Sequence, residues 1–390
     1  MISPQLLTRI QAQGVRWGGA GLGLNRTGGA GPTDHKALDF GSQTSMVPVF
    51  EQPLVELQTE AKPVARSPFR AEPQSDAQVL IFEDDKPVAQ VQAPARPRFY
   101  DLTTADGVPY WKIATLHSKD VLATTVLQTC VRYRNRETSC QFCAIEESLA
   151  AGKTIAHKTP QQLAEVARAA VTLDGVQQMI LTTGTPKGGD RGAAVLEASA
   201  RAIKAAVDIP LQAQCEPPDD DRWFQRLKDA GVDALGMHLE AVSDRVRKQI
   251  MPGKASVPLS RYLAAYDAAV AVFGAGNVST YILAGLGDTE EEILTFSLDL
   301  VARGVYPFVV PFVPVAGTPL ENAPMADPAM LDRIFQTLGP ALRARGITSD
   351  SLSAGCAKCG ACSALKSYES QNQVPENQEE QADAKAAVCV

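Results

Sequence analysis

The chain has 390 residues, 45% hydrophobic and 21% charged, with 37 Lys and Arg against 44 Asp and Glu for a net charge of -7. At roughly 100 to 200 residues per domain, two to four folding units fit, or one large barrel of about 250 residues with additions. Such a composition excludes a fibrous or wholly disordered chain, and the acidic balance argues against a nucleic-acid-binding surface. No run approaches the ~18 apolar residues of a membrane span, and the longest candidate, Gly304 to Gly317, carries three prolines. MISPQLLTRIQAQG lacks the pattern of a secretory signal. The expectation is a cytoplasmic protein without membrane contact, whose eight cysteines serve as metal ligands or catalytic groups rather than disulfides.

Along the chain, residues 1 to about 75 are rich in Gly, Pro, Gln and Ala, so an irregular N-terminal extension is expected, with a short helix in QLLTRIQAQGV. The Gly-rich stretch from Gly18 to Leu38 has no phosphate-loop pattern and reads as a segment lying over a larger domain. QVLIFEDDKPVAQV reads as strand, acidic turn and strand, and VPYWKIATLHS as a further strand-like run. After Asp120 short Val- and Ile-rich runs alternate with helical spacing. Strands are expected at Val121 to Gln128, Gln178 to Thr183, Pro210 to Gln214, Ala234 to Leu239, Val278 to Ala284 and Tyr306 to Phe312. Helices are expected between them, the first opened by Thr159, Pro160 and Gln162 in a capping box. The others fit Ala193 to Val207, Asp220 to Ala230, Ser260 to Phe273, Thr289 to Arg303 and Pro328 to Arg345. Six βα units and a weak strand candidate at Ile347 to Leu352 predict an α/β fold, a parallel (β/α) TIM-type barrel, partial or complete; a doubly wound open sheet is the alternative. The expected divisions are an extension with a small β element at 1–115, the barrel at 116–345, a cysteine segment at 346–368 and a solvated tail at 369–390.

Cys130, Cys140 and Cys143 are spaced C-x9-C-x2-C directly after the first barrel strand, at the face where barrel active sites lie. Three thiolates hold three irons of a cubane and leave the fourth open to a ligand. Arg132, Arg134 and Arg136 lie between them and offset negative charge. A structural zinc site is the rival, with His157 the nearest fourth ligand. Cys356, Cys359 and Cys362 form a second set, with Gly355 and Gly360 allowing a tight fold. Cys215, at the end of the third strand, is a candidate fourth ligand or else a small core residue. Cys389 reads as a free thiol.

Over about residues 115 to 365 these features resemble the radical S-adenosylmethionine (SAM) superfamily. In CQFC, Phe142 stands where the family places an aromatic, though the first cysteine interval is nine rather than three, as in Elongator catalytic subunits. LTTGT, with Thr183 and Gly184, falls where the family's backbone contacts the methionine amine. HLEAVSDRVRKQIMPG resembles the fourth-strand segment of lipoyl and biotin synthases, which implies that Glu240 binds ribose hydroxyls. Arg261 matches an arginine that pairs with the methionine carboxylate. YILAGLGDTEEE resembles their segment near adenine, which implicates Leu283, Gly285 and Asp288, with Tyr281 in place of a glycine. VPFVPVAGTPLEN resembles the sixth-strand end of biotin synthase, and LSAGC puts Cys356 where that family has an arginine beside an auxiliary cluster. The whole chain looks most like an uncharacterised radical SAM family of nitrilase-linked gene clusters.

The resemblance implies a 4Fe-4S cluster on the first cysteine set that reductively cleaves SAM, giving a 5'-deoxyadenosyl radical that acts on a small, nitrogen-containing metabolite. It further implies an external electron donor such as flavodoxin or ferredoxin, and a second iron-sulfur cluster on the later cysteines. His238, two residues before Glu240 and so on the same strand face, would point at the substrate as a proton-transfer group or be a hydrogen-bonded core residue. Glu216 and Asp219 are loop carboxylates that would face the site or stay solvated. Two rivals stand: a zinc-stabilised barrel acting as a non-redox enzyme or binding scaffold, and an aldolase-like barrel in which Lys187 or Lys254 forms a Schiff base. The N-terminal segment is the candidate cover of the barrel mouth.

Overall fold

A computed structural model describes residues 2–18, 35–51 and 63–370. Most of the Gly-rich stretch and the tail from 371, including Cys389, lie outside the described residues. Two sheets organise the rest. The first is a closed barrel of six short strands, β1 (Val15–Trp17), β2 (His35–Asp39), β3 (Thr44–Glu51), β4 (Phe69–Pro73), β5 (Gln78–Glu83) and β6 (Lys86–Gln92), in the order β1-β3-β2-β6-β5-β4. The β5–β6 hairpin is the one expected from its acidic turn, and Asp84 and Asp85 take the positive φ that such a turn needs. The expectation of irregular structure before it is corrected: β1 to β4 close onto that hairpin. Their signal is weak because β1 has three residues and β3 carries Pro48, a residue that ordinarily argues against a strand. The short helix does form, at Pro4–Gln13, capped by Ser3.

The second sheet contains β7 (Thr115–Leu116), β8 (Val121–Thr125), β9 (Gln178–Thr182), β10 (Leu211–Gln214), β11 (Ala234–Gly236), β12 (Val278–Ala284) and β13 (Val305–Pro311), ordered consecutively. β8 to β13 are parallel, and β7 is an antiparallel edge strand on β8. The sheet is open, so the barrel is partial. It is also curled, because side chains from β7, β8, β9, β10 and β12 line one cavity. Both faces are covered, which is why β13 is buried almost throughout. Helices follow the strands as expected. Pro160–Asp174 has its capping box with Gly175 left-handed beyond the last turn, and Glu290–Ala302 has a second box on Thr289 with three acids in its first turn. VPYWKIATLHS is mostly not a strand: Tyr110–Ile113 is helical, Pro109 makes a single bridge to Thr103, and Thr115–Leu116 pairs as a short strand.

The strand expected at Ile347 to Leu352 is a 3-10 turn at Ser349–Ser351. Ser349 gives its N–H and its hydroxyl to Glu369 Oε2, at 2.9 and 2.6 Å, which curls the chain instead of extending it. The following segment enters the half-barrel from the end where its strands begin. Gly355 donates to the side chain of Gln178, the first residue of β9, at 2.7 Å, and Ser353 to Asn277, just before β12, at 3.0 Å. The N-terminal barrel packs on the same segment, since Met46 N–H and Gln11 Nε2 both donate to Ala361 O, at 2.8 and 3.1 Å. Among the described residues no helix is long and apolar enough to cross a membrane.

Candidate functional site

A cavity of about 420 Å3 fills the half-barrel. Phe142, His238, Glu240 and Leu283 face it from the ends of the strands, and Cys356 and Cys362 face it from the opposite end. A neighbouring cavity of about 190 Å3 brings Gln11, His35 and Met46 of the N-terminal module to Phe142, Tyr281, Leu283 and Cys362.

The first cysteine loop leaves the sheet after β8 and is braced on three sides. Gly184 lies so close beneath it that a Cβ there would stand 2.1 Å from Thr129 O. Gln141 N–H donates to Ile250 O at 2.8 Å, and a Cβ on Gly253 would meet Thr138 O at 2.4 Å, so the 250–253 turn grips the loop. The Arg132 guanidinium is buried, paired with Glu216, and feels the Cys130 and Cys140 thiols. Burial pushes the Cys140 thiol up, and Cys143 up to about 11. These thiols therefore stay protonated unless a cationic centre takes the place of the proton. Three soft donors without a carboxylate among them, beside a buried guanidinium, fit a thiolate-ligated iron-sulfur centre by donor chemistry. Among the described residues no three His, Cys, Asp or Glu side chains converge as ligands of a single metal ion. Arg134 pairs with Glu146 at 2.9 Å, and Arg136 borders a small outer cavity with Cys140 and Cys143.

Glu240 sits just past β11 with φ 63, bridged to Ile282 of β12. Its carboxylate forms a buried ion pair with Lys254. Burial raises the Glu240 carboxyl against the pull of Lys254; burial alone would lower Lys254, but Glu240 and Glu216 outweigh it and hold the amine charged. Glu216 is buried as well and accepts from Thr185 at 2.6 Å. Burial works against its charge, yet Lys254 and Arg132 keep it below the ordinary carboxylate value. Asp219 instead stays near solvent, 3.1 Å from Arg191.

His238 reaches the cavity, its ring edge-to-face with Tyr281 at 4.6 Å. Tyr281 N–H donates to its Nδ1 at 3.3 Å, so the neutral ring carries its proton on Nε2. Burial and then Lys254 push it down to about 3. With Nδ1 accepting from Tyr281, the neutral ring has its Nε2 proton to offer as a hydrogen-bond donor.

The other expected cofactor-binding residues are engaged within the chain itself. Gly184 N–H is given to Leu127 O at 2.8 Å and braces the cysteine loop, Thr183 Oγ1 donates to the adjacent Gly184 O at 2.8 Å, and neither residue is among those lining the cavity. Asp288 accepts from Val242 and Ser243 N–H groups at 2.8 and 3.1 Å and from the Ser243 hydroxyl; it fixes the turn behind Glu240. Gly285 has φ 110 and packs on Ala326. Arg261 donates to Pro218 O and to Asp221 at 2.6 Å and is not among the residues lining the cavity. Cys215 is not a partner of the second set: Gln212 and Gln214 reach Cys356, so the next residue along points the other way, toward Glu216 and Asp190, where burial pushes its thiol up to about 12. His157 and Lys187 are exposed, and Lys254 is committed to Glu240.

Sequence reasoning missed Lys158, which lines the cavity with 1% of its surface exposed. Its amine donates to Thr125 O at 2.6 Å and Gln128 Oε1 at 3.2 Å, and burial pushes it down to about 7. It also missed His117, whose ring lies against Cys359 and Cys362. No spacing rule marks either residue, because each reaches the site through the tertiary fold.

Residues 133–300 match the model of the Radical SAM superfamily. Over 119 residues the chain is 32% identical to bacteriochlorophyllide c C-7(1)-hydroxylase of Chlorobaculum limnaeum, a match covering 30% of this chain and 29% of that protein. The chain thus spans less than a third of the length of that curated relative. Among solved structures, a radical SAM methyltransferase from Sphaerobacter thermophilus is 15% identical, with coverage of 72% and 75% of the two chains and a TM-score of 0.45. The FeFe-hydrogenase maturase HydG from Carboxydothermus hydrogenoformans is 17% identical, with coverage of 58% and 51% and a TM-score of 0.43.

Proposed function

From the match of residues 133–300 to the Radical SAM superfamily, we propose that this chain is an enzyme that holds a 4Fe-4S cluster on Cys130, Cys140 and Cys143 and uses SAM to act on a small, nitrogen-containing metabolite. When bound, such a cluster supplies one low-potential electron to the SAM sulfonium, which releases methionine and a 5'-deoxyadenosyl radical. The electron comes from an external donor such as flavodoxin or ferredoxin. A second iron-sulfur cluster belongs on Cys356, Cys359 and Cys362.

The observation that carries this reading is the single cavity bounded by Phe142 and Glu240 on the side of the first cysteine loop and by Cys356 and Cys362 on the other. Glu240 presents a carboxylate to ribose hydroxyls, its charge offset by Lys254. Glu216 Oε2 is buried with no partner among the described residues and is the acceptor available to a methionine ammonium. For Arg261 to take the methionine carboxylate it must leave Asp221. His238 offers its Nε2 proton to the substrate, and the N-terminal module, through Gln11, His35 and Met46, helps keep water from the radical. The nitrogen-containing substrate rests on the resemblance to the nitrilase-linked family.

Anaerobic purification with iron and sulfide analysis tests the proposal. About eight irons per chain are expected, two cubanes' worth, with 5'-deoxyadenosine formed on reduction. Cys140→Ala should leave about four irons, one cubane's worth, and form no 5'-deoxyadenosine. Full iron content and undiminished cleavage in that variant, or zinc in place of iron in the parent, refutes it.

A further inference from the structure

The second cysteine set is short of a ligand, since three thiolates cap only three irons of a cubane. Cys356 and Cys359 lie one turn apart on the helix Cys356–Cys359, and Gly360, left-handed with φ 69, turns the chain back so that Cys362 rejoins them. Cys356 Sγ receives the amide of Gln214 at 3.1 Å, and its own N–H goes to Gln212 Oε1 at 3.1 Å. Cys215 points elsewhere, as shown above. What the fold brings to these sulfurs instead is His117, from the β7–β8 turn, held there by its N–H on Val121 O at 2.8 Å. Nδ1 lies 3.6 Å from Cys359 Sγ and Nε2 3.9 Å from Cys362 Sγ. The described residues offer the ring no oxygen or nitrogen partner, and it stands half-buried in the cavity wall.

We infer that His117 is the fourth protein ligand of the second centre, which makes that centre an iron-sulfur cluster held by three thiolates and one imidazole. The inference rests on the proposed second cluster and adds its ligand set. Such a centre has no open iron for substrate. A substrate in the cavity meets it at Cys356, Cys362 and His117. Replacing a thiolate by a neutral imidazole lowers the anionic charge of a cluster and raises its potential, as histidine does in Rieske centres. This centre therefore accepts an electron more readily than an all-cysteine equivalent would.

The test uses the full chain with Cys130, Cys140 and Cys143 all replaced by Ala, so that only the second centre remains, reconstituted anaerobically with iron and sulfide. About four irons per chain are expected, as in one cubane. Pulsed electron paramagnetic resonance of the reduced protein, grown with 15N-histidine, should show hyperfine coupling to one directly bound nitrogen. His117→Ala should abolish that coupling. His117→Cys should restore the iron content, abolish the coupling and shift the midpoint potential to more negative values. Four irons without histidine coupling, or coupling that survives His117→Ala, overturns the ligand assignment alone. An absence of iron from the triple variant when the parent binds about four irons overturns the second cluster itself. The labelling experiment on the chain with His117 in place keeps the inference falsifiable even if His117→Ala does not fold.

Discussion

Glu240 takes a left-handed backbone, φ 63, which costs a residue with a side chain about 1 to 3 kcal/mol and marks a place where the surroundings overrule local preference. What holds it there is visible: the bridge to Ile282, the ion pair with Lys254 and the turn fixed by Asp288. Lys254→Met strands a buried carboxylate, so unfolding in urea should show a loss of about 3 to 5 kcal/mol, whereas Lys254→Met combined with Glu240→Gln should lose markedly less. His238 gives a pH signature. Its folded value of about 3 lies below the ordinary 6.5, so the unfolded chain takes up the proton first and stability falls as pH drops from 6.5 toward 3. At ~1.4 kcal/mol per pH unit, replacing His238 with Gln should flatten the stability profile over that window, and an unchanged slope would show the ring to be ordinary. His238 and Glu240 were legible because a spacing of two in the sequence paired them, and both reach the cavity although they lie past the end of β11. Asp288 and Gly184 were not, because the hydrogen bonds that occupy them come from residues 46 positions away and from the far side of a loop.

Capping boxes, left-handed glycines after helices and Val- and Ile-rich runs are local signals, and the helices and strands from residue 120 to 345 follow them closely. The expected first strand ends three residues early. Beyond Thr125 the chain keeps bonds to Thr182 and Gly184 while also pairing with the strip at 156–158, which sets the base of the cysteine loop and places Lys158 in the cavity. That loop rests on Gly184. Gly184→Ala pushes a methyl group into Thr129 O, so the variant should lose the iron of the first centre, about half the total if each centre is a cubane, and keep the second; equal iron content in variant and parent would count against the bracing. The β strands before residue 75 were illegible for the opposite reason. Each is short or interrupted, and closing a barrel is a property of six strands together that no one of them announces.

The two ends of the described chain meet over the second cysteine set. Ala37 and Met46 of the N-terminal barrel pack with Ala361 against Cys359 and Cys362. A charge there is desolvated without a partner, so Met46→Glu should lower the melting temperature and speed the loss of the second centre's visible absorbance in air, with the first centre unaffected. This arrangement also has a history in time. Thr8 hydrogen-bonds Tyr368 at 3.1 Å across 360 positions, and Gln11 reaches Ala361 across 350. Neither bond forms until the ribosome has passed those codons. A nascent chain that has just released residue 345 already owns every strand of the half-barrel and its first cysteine loop, yet lacks Cys356, Cys359 and Cys362. On the proposed reading, the first loop can take its cluster while the protein is still being made, and the second site waits for the finished polypeptide to close on itself.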